Sequence, residues 1–122
     1  MWSEYFPNSY IIGVELKKIN YRPSNDRIKL ITGDGTDSKT FQNIKNLDIV
    51  IDDGSHVFTD QIFSYAILFD KLNKGGIYII EDVKDIDAVG GFFNRLNVNA
   101  KIFDFRKLKN RHDDVIIEIM KV

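Results

Sequence analysis

Several residue types that would indicate a particular class of protein are scarce or missing in this chain. The 122 residues include no cysteine, which excludes disulfides, thiolate nucleophiles and zinc–thiolate sites. No apolar run approaches the roughly 18 residues of a membrane span, and the start lacks the basic head and apolar stretch of a signal peptide. Because 17 basic and 18 acidic residues nearly balance, bulk charge favours neither nucleic acid nor a membrane as partner. We therefore expect a cytoplasmic protein.

The apolar segments predict a single domain over residues 1–122 in which strands and helices alternate. Strands are predicted at 10–15, 27–31, 47–52, 77–81, 100–105 and 114–121, and helices at 2–6, 37–45, 59–72 and 85–96. This alternation is typical of an α/β fold, here a Rossmann-like, mostly parallel sheet with helices on both faces. The short charged connection 107–113 can join only antiparallel strands, which predicts a C-terminal antiparallel hairpin with an antiparallel strand at one edge.

Acidic residues stand at the ends of two of the predicted apolar strands. Asp52 and Asp53 end the third strand, and Glu81 and Asp82 end the fourth. Because the carboxyl ends of neighbouring parallel strands meet at one crevice, where open α/β sheets bind ligands, these carboxylates are expected to converge. His56 follows Asp53 by three residues. Two carboxylates with a nearby imidazole can hold a hard metal ion and move a proton.

A resemblance to a known family is carried by the block Asp52-Asp53-Gly54-Ser55-His56, followed by Gly75-Gly76 and then by Tyr78-Ile79-Ile80-Glu81-Asp82. This pattern resembles the macrolide sugar O-methyltransferases of the mycinamicin and macrocin type, a family that includes cephalosporin hydroxylase-like sequences. The opening Trp2-Ser3-Glu4-Tyr5-Phe6-Pro7, leading into Ile12-Gly13-Val14-Glu15, is similar to the same family just after its first strand–helix unit. The resemblance implies a class I S-adenosylmethionine-dependent methyltransferase fold that is truncated at its N-terminus.

The first strand of that fold and the glycine-rich loop after it have no counterpart in the chain. Gly33-Asp34-Gly35 follows the second predicted strand and is too late in the order to be that loop. In the family the missing strand lies between the strands that here are 10–15 and 47–52, so both are expected to have unpaired edges that favour a homo-oligomer. Three explanations stay open: a fragment or misassigned start, a shortened inactive remnant, or a gap that a partner chain or a rearranged sheet fills.

The resemblance implies roles for the residues of the crevice. Asp53 and Asp82 are expected to bind Mg²⁺ or a similar divalent ion, because carboxylates on adjacent strand ends supply the oxygen ligands it prefers. His56 is the expected general base, since an imidazole can take a hydroxyl proton near neutral pH. For the two aspartates the alternative is a loop that caps the following helix, and for His56 it is a structural histidine.

The resemblance also implies cofactor contacts elsewhere. Glu15, Gly33, Asp34 and Asp52 are expected to bind S-adenosylmethionine, Glu15 through the ribose hydroxyls, because a carboxylate accepts two donors at once. Gly33 is expected to allow positive φ and a close approach to a ligand. Glu15 could equally be a solvated strand end, and aspartate and glycine are also ordinary turn residues.

The resulting hypothesis is a metal-assisted O-methyltransferase that acts on a hydroxyl of a sugar or another small molecule. The alternative is a non-catalytic remnant of the fold that serves as a binding or oligomerisation module, which the missing glycine-rich loop favours. A third and weaker interpretation is a metal-dependent oxygenase. That activity would need two histidines with one carboxylate, and the only other histidine, His112, falls in a charged loop that is expected to be solvated.

Overall fold

The structure is a computed structural model that describes residues 2–23 and 25–122. Contacts divide the chain into two compact units, Met1–Gln42 and Asn43–Val122. The expectation of a single domain stays a prediction.

The first unit contains a two-stranded parallel sheet. Helix α1 (Trp2–Tyr5) precedes strand β1 (Ile11–Glu15), which pairs along its length with β2 (Ile28–Thr32). Arg27 connects the first helix to this sheet, since its guanidinium donates to the backbone carbonyls of three residues between positions 3 and 9 at 2.9 to 3.1 Å. These elements confirm the predicted strands to within a residue.

The helix predicted over 37–45 is shorter than expected. It forms only the 3₁₀ turn Ser38–Phe41, with the Asp37 carboxylate accepting from the backbone N–H of Lys39 at 2.9 Å. Asp37 thus caps a single turn, and no regular helix continues to residue 45.

The second unit is built on a four-stranded sheet of order β3–β4–β6–β5. Its strands are β3 (Leu47–Asp52), β4 (Leu72–Ile80), β5 (Ala100–Asp104) and β6 (Val115–Met120). β3 and β4 are parallel, and β6 is antiparallel to both β4 and β5. Three strands therefore run in one direction, which confirms the mostly parallel sheet and the C-terminal antiparallel hairpin.

The antiparallel strand does not lie at the edge of the sheet, so that detail of the prediction is wrong. β6 lies between β4 and β5, and β5 forms the edge. The reason is apolar burial, because Val115, Ile117 and Ile119 of β6 are fully buried. The edge strand β5 instead carries the charged side chains of Lys101 and Asp104, which suit an edge.

β4 begins earlier than predicted. The helix predicted over 59–72 ends as α2 (Phe58–Leu68) and a 3₁₀ turn, Phe69–Lys71, and β4 starts at once. Gly75 has a φ of 81° and its N–H donates to the carbonyl of Lys121 at 2.7 Å. The glycine therefore lies in a bulge within the strand, where positive φ costs it little, and does not end the helix.

Helices α2 and α3 (Ile86–Arg95) cover one face of the four-stranded sheet, since they contact each other and both contact its strands. An aromatic cluster connects α2, α3 and β4. The Tyr65 ring of α2 lies 4.8 Å from that of Phe93 in α3 and 5.3 Å from that of Tyr78 in β4. Tyr78 and Phe93 are fully buried, so this cluster forms the centre of the core.

Strands β1 and β3 each have one unpaired edge in the described part of the chain. Among the described strands, β1 pairs only with β2 and β3 pairs only with β4. This confirms the unpaired edges that the sequence predicts for 10–15 and 47–52. In the described part of the chain, no helix has both the length and the hydropathy that crossing a membrane requires.

Candidate metal and catalytic site

The candidate site lies at the carboxyl ends of β3 and β4. The parallel pairing of Asp52 with Ile80 is continued by one further bond, in which the Glu81 N–H donates to the Asp52 carbonyl at 2.9 Å. Asp53 directly follows Asp52, and Asp82 directly follows Glu81. The ladder therefore places these two residues beside each other, as the sequence predicts.

Asp53, His56 and Asp82 form a compact cluster. The Nε2 atom of His56 is 3.1 Å from Oδ1 of Asp53 and 3.9 Å from Oδ2 of Asp82. One ligand atom from each residue lies within 4.8 Å of the others. Two oxygens on opposite sides of a Mg²⁺ ion are about 4.2 Å apart, so small side-chain movements let this donor set share one ion. The chemistry and spacing of the residues thus fit a divalent cation.

The backbone is strained at two of the three cluster residues. His56 has a φ of 58° and Asp82 a φ of 51°, in the left-handed region that side chains with a Cβ seldom adopt. The other described non-glycine residues in this region are all asparagines, which like aspartate adopt it more readily than most residues with a Cβ. Strain of this kind is concentrated at functional sites, where the surrounding structure enforces it.

The loop between β3 and α2 is held at both ends. The Ser55 hydroxyl is 2.6 Å from the Asp60 carboxylate in the first turn of α2, and it accepts from the Val57 N–H at 3.3 Å. His56 lies between Ser55 and Val57. These bonds therefore fix the backbone that carries the imidazole.

Asp52 binds groups of its own unit. Its Oδ1 accepts from the Gly54 N–H and its Oδ2 from the Tyr78 hydroxyl, both at 3.2 Å. Burial raises the pKa of the Asp52 carboxyl, and the Tyr78 hydrogen bond opposes that rise. Burial also raises the pKa of Tyr78, so its hydroxyl stays a donor. Asp52 thus stabilises the start of the loop, and its contact with a cofactor stays a prediction.

The site has an excess of negative charge. Burial raises the pKa of Glu81, and the neighbouring carboxylates of Asp53 and Asp82 raise it further. Mutual repulsion of this kind favours a bound cation. One guanidinium lies nearby, since Nη2 of Arg111 is 3.8 Å from Oδ2 of Asp82.

The predicted cofactor residues of the first unit lie at the carboxyl ends of β1 and β2. The Gly33 N–H donates to the Glu15 carbonyl at 2.9 Å. The Asp34 carboxylate accepts from the N–H and the hydroxyl of Thr36, each at 2.8 Å, and these bonds lower the pKa of Asp34. Asp34 therefore forms a local turn. Its role in cofactor binding, like that of Glu15, stays a prediction.

Gly33 is glycine for a different reason from the one expected. Its φ is not in the left-handed region, so the expectation of positive φ is wrong at this residue. A Cβ at this position would come within 2.6 Å of the Thr40 hydroxyl oxygen. Close packing against Thr40 thus requires the missing side chain.

The cluster has too few histidines for the metal-dependent oxygenase interpretation. His112 has an 81% exposed side chain and lies near Asp113. In the described residues the candidate metal cluster includes one histidine, His56, together with two carboxylates. An iron triad of two histidines and one carboxylate does not fit this set.

Sequence reasoning missed two contributors to the site. Tyr78 is paired with Val50, two residues before Asp52, and therefore lies on the same face of the sheet as Asp52. Strand alternation could have indicated that contact. Arg111 had no such signal, because its position depends on β6 pairing beside β4.

Comparison with solved structures identifies the fold. The MycE methyltransferase from the mycinamycin biosynthetic pathway, solved in complex with Mg and SAH, matches the chain with a TM-score of 0.74. The match covers 98% of this chain and 39% of that chain at 23% identity. The fold is therefore that of a class I S-adenosylmethionine-dependent methyltransferase.

No family model matches the chain, but about two thirds of it is similar to parts of characterised proteins. The 8-demethyl-8-alpha-L-rhamnosyl tetracenomycin-C 2'-O-methyltransferase of Streptomyces olivaceus is 32% identical over 88 residues, which cover 69% of this chain and 23% of the relative. The mycinamicin VI 2''-O-methyltransferase of Micromonospora griseorubida is 37% identical over 87 residues, which cover 68% and 22%. The homologues of this chain are thus macrolide-type sugar O-methyltransferases, of whose length it spans less than a quarter.

Proposed function

We propose that this chain forms part of a metal-assisted, S-adenosylmethionine-dependent O-methyltransferase that acts on a hydroxyl of a sugar or a similar small molecule. The observation that carries the proposal is the cluster of Asp53, His56 and Asp82 at the ends of two parallel strands. The names of the relatives support it, since they describe O-methyltransferases of rhamnosyl and macrolide compounds. The neighbour MycE, solved with Mg and SAH, supports the choice of ion and cofactor.

Asp53 and Asp82 would hold Mg²⁺ or a similar divalent ion. Each would contribute a carboxylate oxygen, while water and substrate oxygens fill the other positions, as is usual for this ion. Glu81 adds negative charge beside Asp82 and so favours a cation there. When bound, the ion supplies Lewis acidity that lowers the pKa of a substrate hydroxyl.

His56 would accept the hydroxyl proton. The contact of 3.1 Å between its Nε2 and Oδ1 of Asp53 orients the ring toward the site. The side chain is 23% exposed, so it can reach both a bound substrate and the solvent that removes the proton. The loop bonds of Ser55 hold the imidazole in place, which keeps the proton transfer short.

Glu15, Gly33, Asp34 and Asp52 would bind S-adenosylmethionine, which supplies an electrophilic methyl group. Glu15 stands exposed at the end of β1, where a carboxylate can accept both ribose hydroxyls. We also propose a cytoplasmic location, one partial domain, and a homo-oligomer formed through the free edges of β1 and β3, because unpaired ladder groups bind further strands.

Calorimetric titration with S-adenosylhomocysteine, with and without Mg²⁺, tests the proposal. We expect micromolar binding that tightens with Mg²⁺ and weakens about tenfold in Glu15→Gln, since a charged acceptor is lost. Glu118→Gln is the matched control, because Glu118 pairs with Lys101 on the hairpin. A folded chain that binds no S-adenosylhomocysteine, either alone or when joined to an upstream strand and glycine-rich loop, would contradict the proposal and favour the non-catalytic remnant.

A further inference from the structure

Arg111 lies beside the candidate metal site. Its Nη2 is 3.8 Å from Oδ2 of Asp82, and its Nε is 3.8 Å from Oδ1 of Asp113. Among the described lysines and arginines, it is the one that forms an ion pair with a carboxylate of the cluster. The positive charge of the guanidinium therefore lies beside the Asp82 carboxylate, where a bound divalent ion would also lie.

The fold holds Arg111 in this position. The Val83 N–H, next to Asp82, donates to the Val115 carbonyl at 3.1 Å, and both valines are fully buried. This bond ties the loop after β4 to the start of β6. The chain reaches it from α4 (Arg106–Lys109) through Asn110, whose φ of 54° turns the backbone. Arg111 lies in the short segment between α4 and Val115, the first residue of β6.

The side chain of Arg111 contributes charge and little packing. It is 58% exposed, and both of its ion pairs are longer than a hydrogen bond. Exposed pairs of this kind add little to stability. The effect of Arg111 on a cation that binds at Asp82 is larger, because that cation carries two charges.

We propose that Arg111 sets the affinity of the Asp53–Asp82 site for its divalent ion, because its guanidinium competes with that ion for Asp82. This inference rests on the proposed function, since it requires an ion bound at Asp82. Binding of the ion either displaces the guanidinium or leaves it next to a like charge, and both reduce affinity. A single charge about 6 Å from a divalent ion weakens binding by about three- to tenfold in water and salt.

Titration of the full chain with Mn²⁺ tests this inference. Free Mn²⁺ is measured by electron paramagnetic resonance for the wild type, Arg111→Gln, Arg111→Lys and Arg106→Gln. Arg106→Gln is the matched control, since it removes the same charge from the same connection but its guanidinium pairs with Asp104 at 2.7 Å. We expect about three- to tenfold tighter binding in Arg111→Gln only. Arg111→Lys keeps the charge and the wild-type affinity.

Salt separates an electrostatic role from a structural one. The higher affinity of Arg111→Gln for Mn²⁺ is expected to return to the wild-type value at about 1 M salt, where the screening length falls to about 3 Å. A change in loop structure would persist under those conditions. An Arg111→Gln variant that binds Mn²⁺ no more tightly than the wild type at low salt overturns the inference.

Asp82→Asn distinguishes this failure from failure of the proposed function. If the wild type binds Mn²⁺, Asp82→Asn does not, and Arg111→Gln equals the wild type, only the role of Arg111 is wrong. If the wild type and Asp82→Asn bind Mn²⁺ equally, or neither binds it, the metal site itself is wrong and the inference fails with it.

Discussion

Replacement of Tyr78 by phenylalanine tests the link between the core and the candidate site. Tyr78 is fully buried, and its hydroxyl donates to Oδ2 of Asp52 at 3.2 Å. A hydrogen bond to a charged group contributes about 1.5–3 kcal/mol. Asp52 is only half-buried and keeps its bond from Gly54, so water can replace part of the loss. We expect the free energy of unfolding to fall by about 1–2 kcal/mol at neutral pH.

The loss should depend on pH, with a definite sign. The Tyr78 hydrogen bond lowers the pKa of Asp52 against the larger effect of burial, so it stabilises the ionised carboxylate. Its contribution is therefore full at neutral pH and diminishes as the pH falls through the pKa of Asp52, which lies above 3.8. At about pH 3.5 a neutral hydrogen bond of about 1 kcal/mol or less remains.

Urea denaturation of the wild type and Tyr78→Phe at both pH values measures this difference. Tyr10→Phe is the matched control, because Tyr10 is 75% exposed and its hydroxyl should not affect stability. An equal loss at both pH values, or no loss at neutral pH, would refute the reasoning that Tyr78 stabilises the Asp52 carboxylate.

Three further substitutions test the elements around the site by urea denaturation. Lys121→Met should lower the free energy of unfolding by about 2–3 kcal/mol, because the Lys121 ammonium donates to three backbone carbonyls between α2 and β4 at 2.9 to 3.1 Å. A decrease below about 0.5 kcal/mol would contradict this prediction. Asp85→Ala should cost about 1 kcal/mol, since its carboxylate caps α3 through the Ala88 N–H at 2.9 Å; unchanged stability would mean that the cap is not formed. Gly33→Ala should cost more than about 1 kcal/mol in the wild type and much less in a Thr40→Ala background, because the added Cβ would meet Thr40 at 2.6 Å. Equal costs in both backgrounds would show that the contact with Thr40 is not the cause.

The parallel core of the second unit could be predicted from the sequence because burial on both sides leaves a clear pattern. The strand at 47–52 has the predicted bounds. The convergence of Asp53 and Asp82 follows from the rule that parallel strands end at the same edge of a sheet. His56 could be placed with them because it follows Asp53 by only three positions.

Features that depend on long-range pairing could not be predicted. The start of β4 at Leu72 depends on its pairing with Leu47 of β3 across a bulge, which local sequence does not indicate. The place of β6 inside the sheet depends on which strand buries more apolar surface, and this in turn positions Arg111. The positive φ at His56 and Asp82 is a property of the folded loops, with no glycine to indicate it.

The central claim is that the carboxylates of Asp53 and Asp82 form a divalent-ion site, and Mn²⁺ broadening of backbone amide signals in NMR spectra tests it most directly. At substoichiometric Mn²⁺ we expect the amides of Asp53, His56 and Asp82 to broaden first, and the effect to disappear in Asp53→Asn. Asp48→Asn is the matched control. Its carboxylate stands near the opposite end of β3 and accepts from the Asn73 side chain at 2.8 Å, so it should leave the broadening unchanged. Broadening centred on other residues, or broadening that persists in Asp53→Asn, would contradict the account.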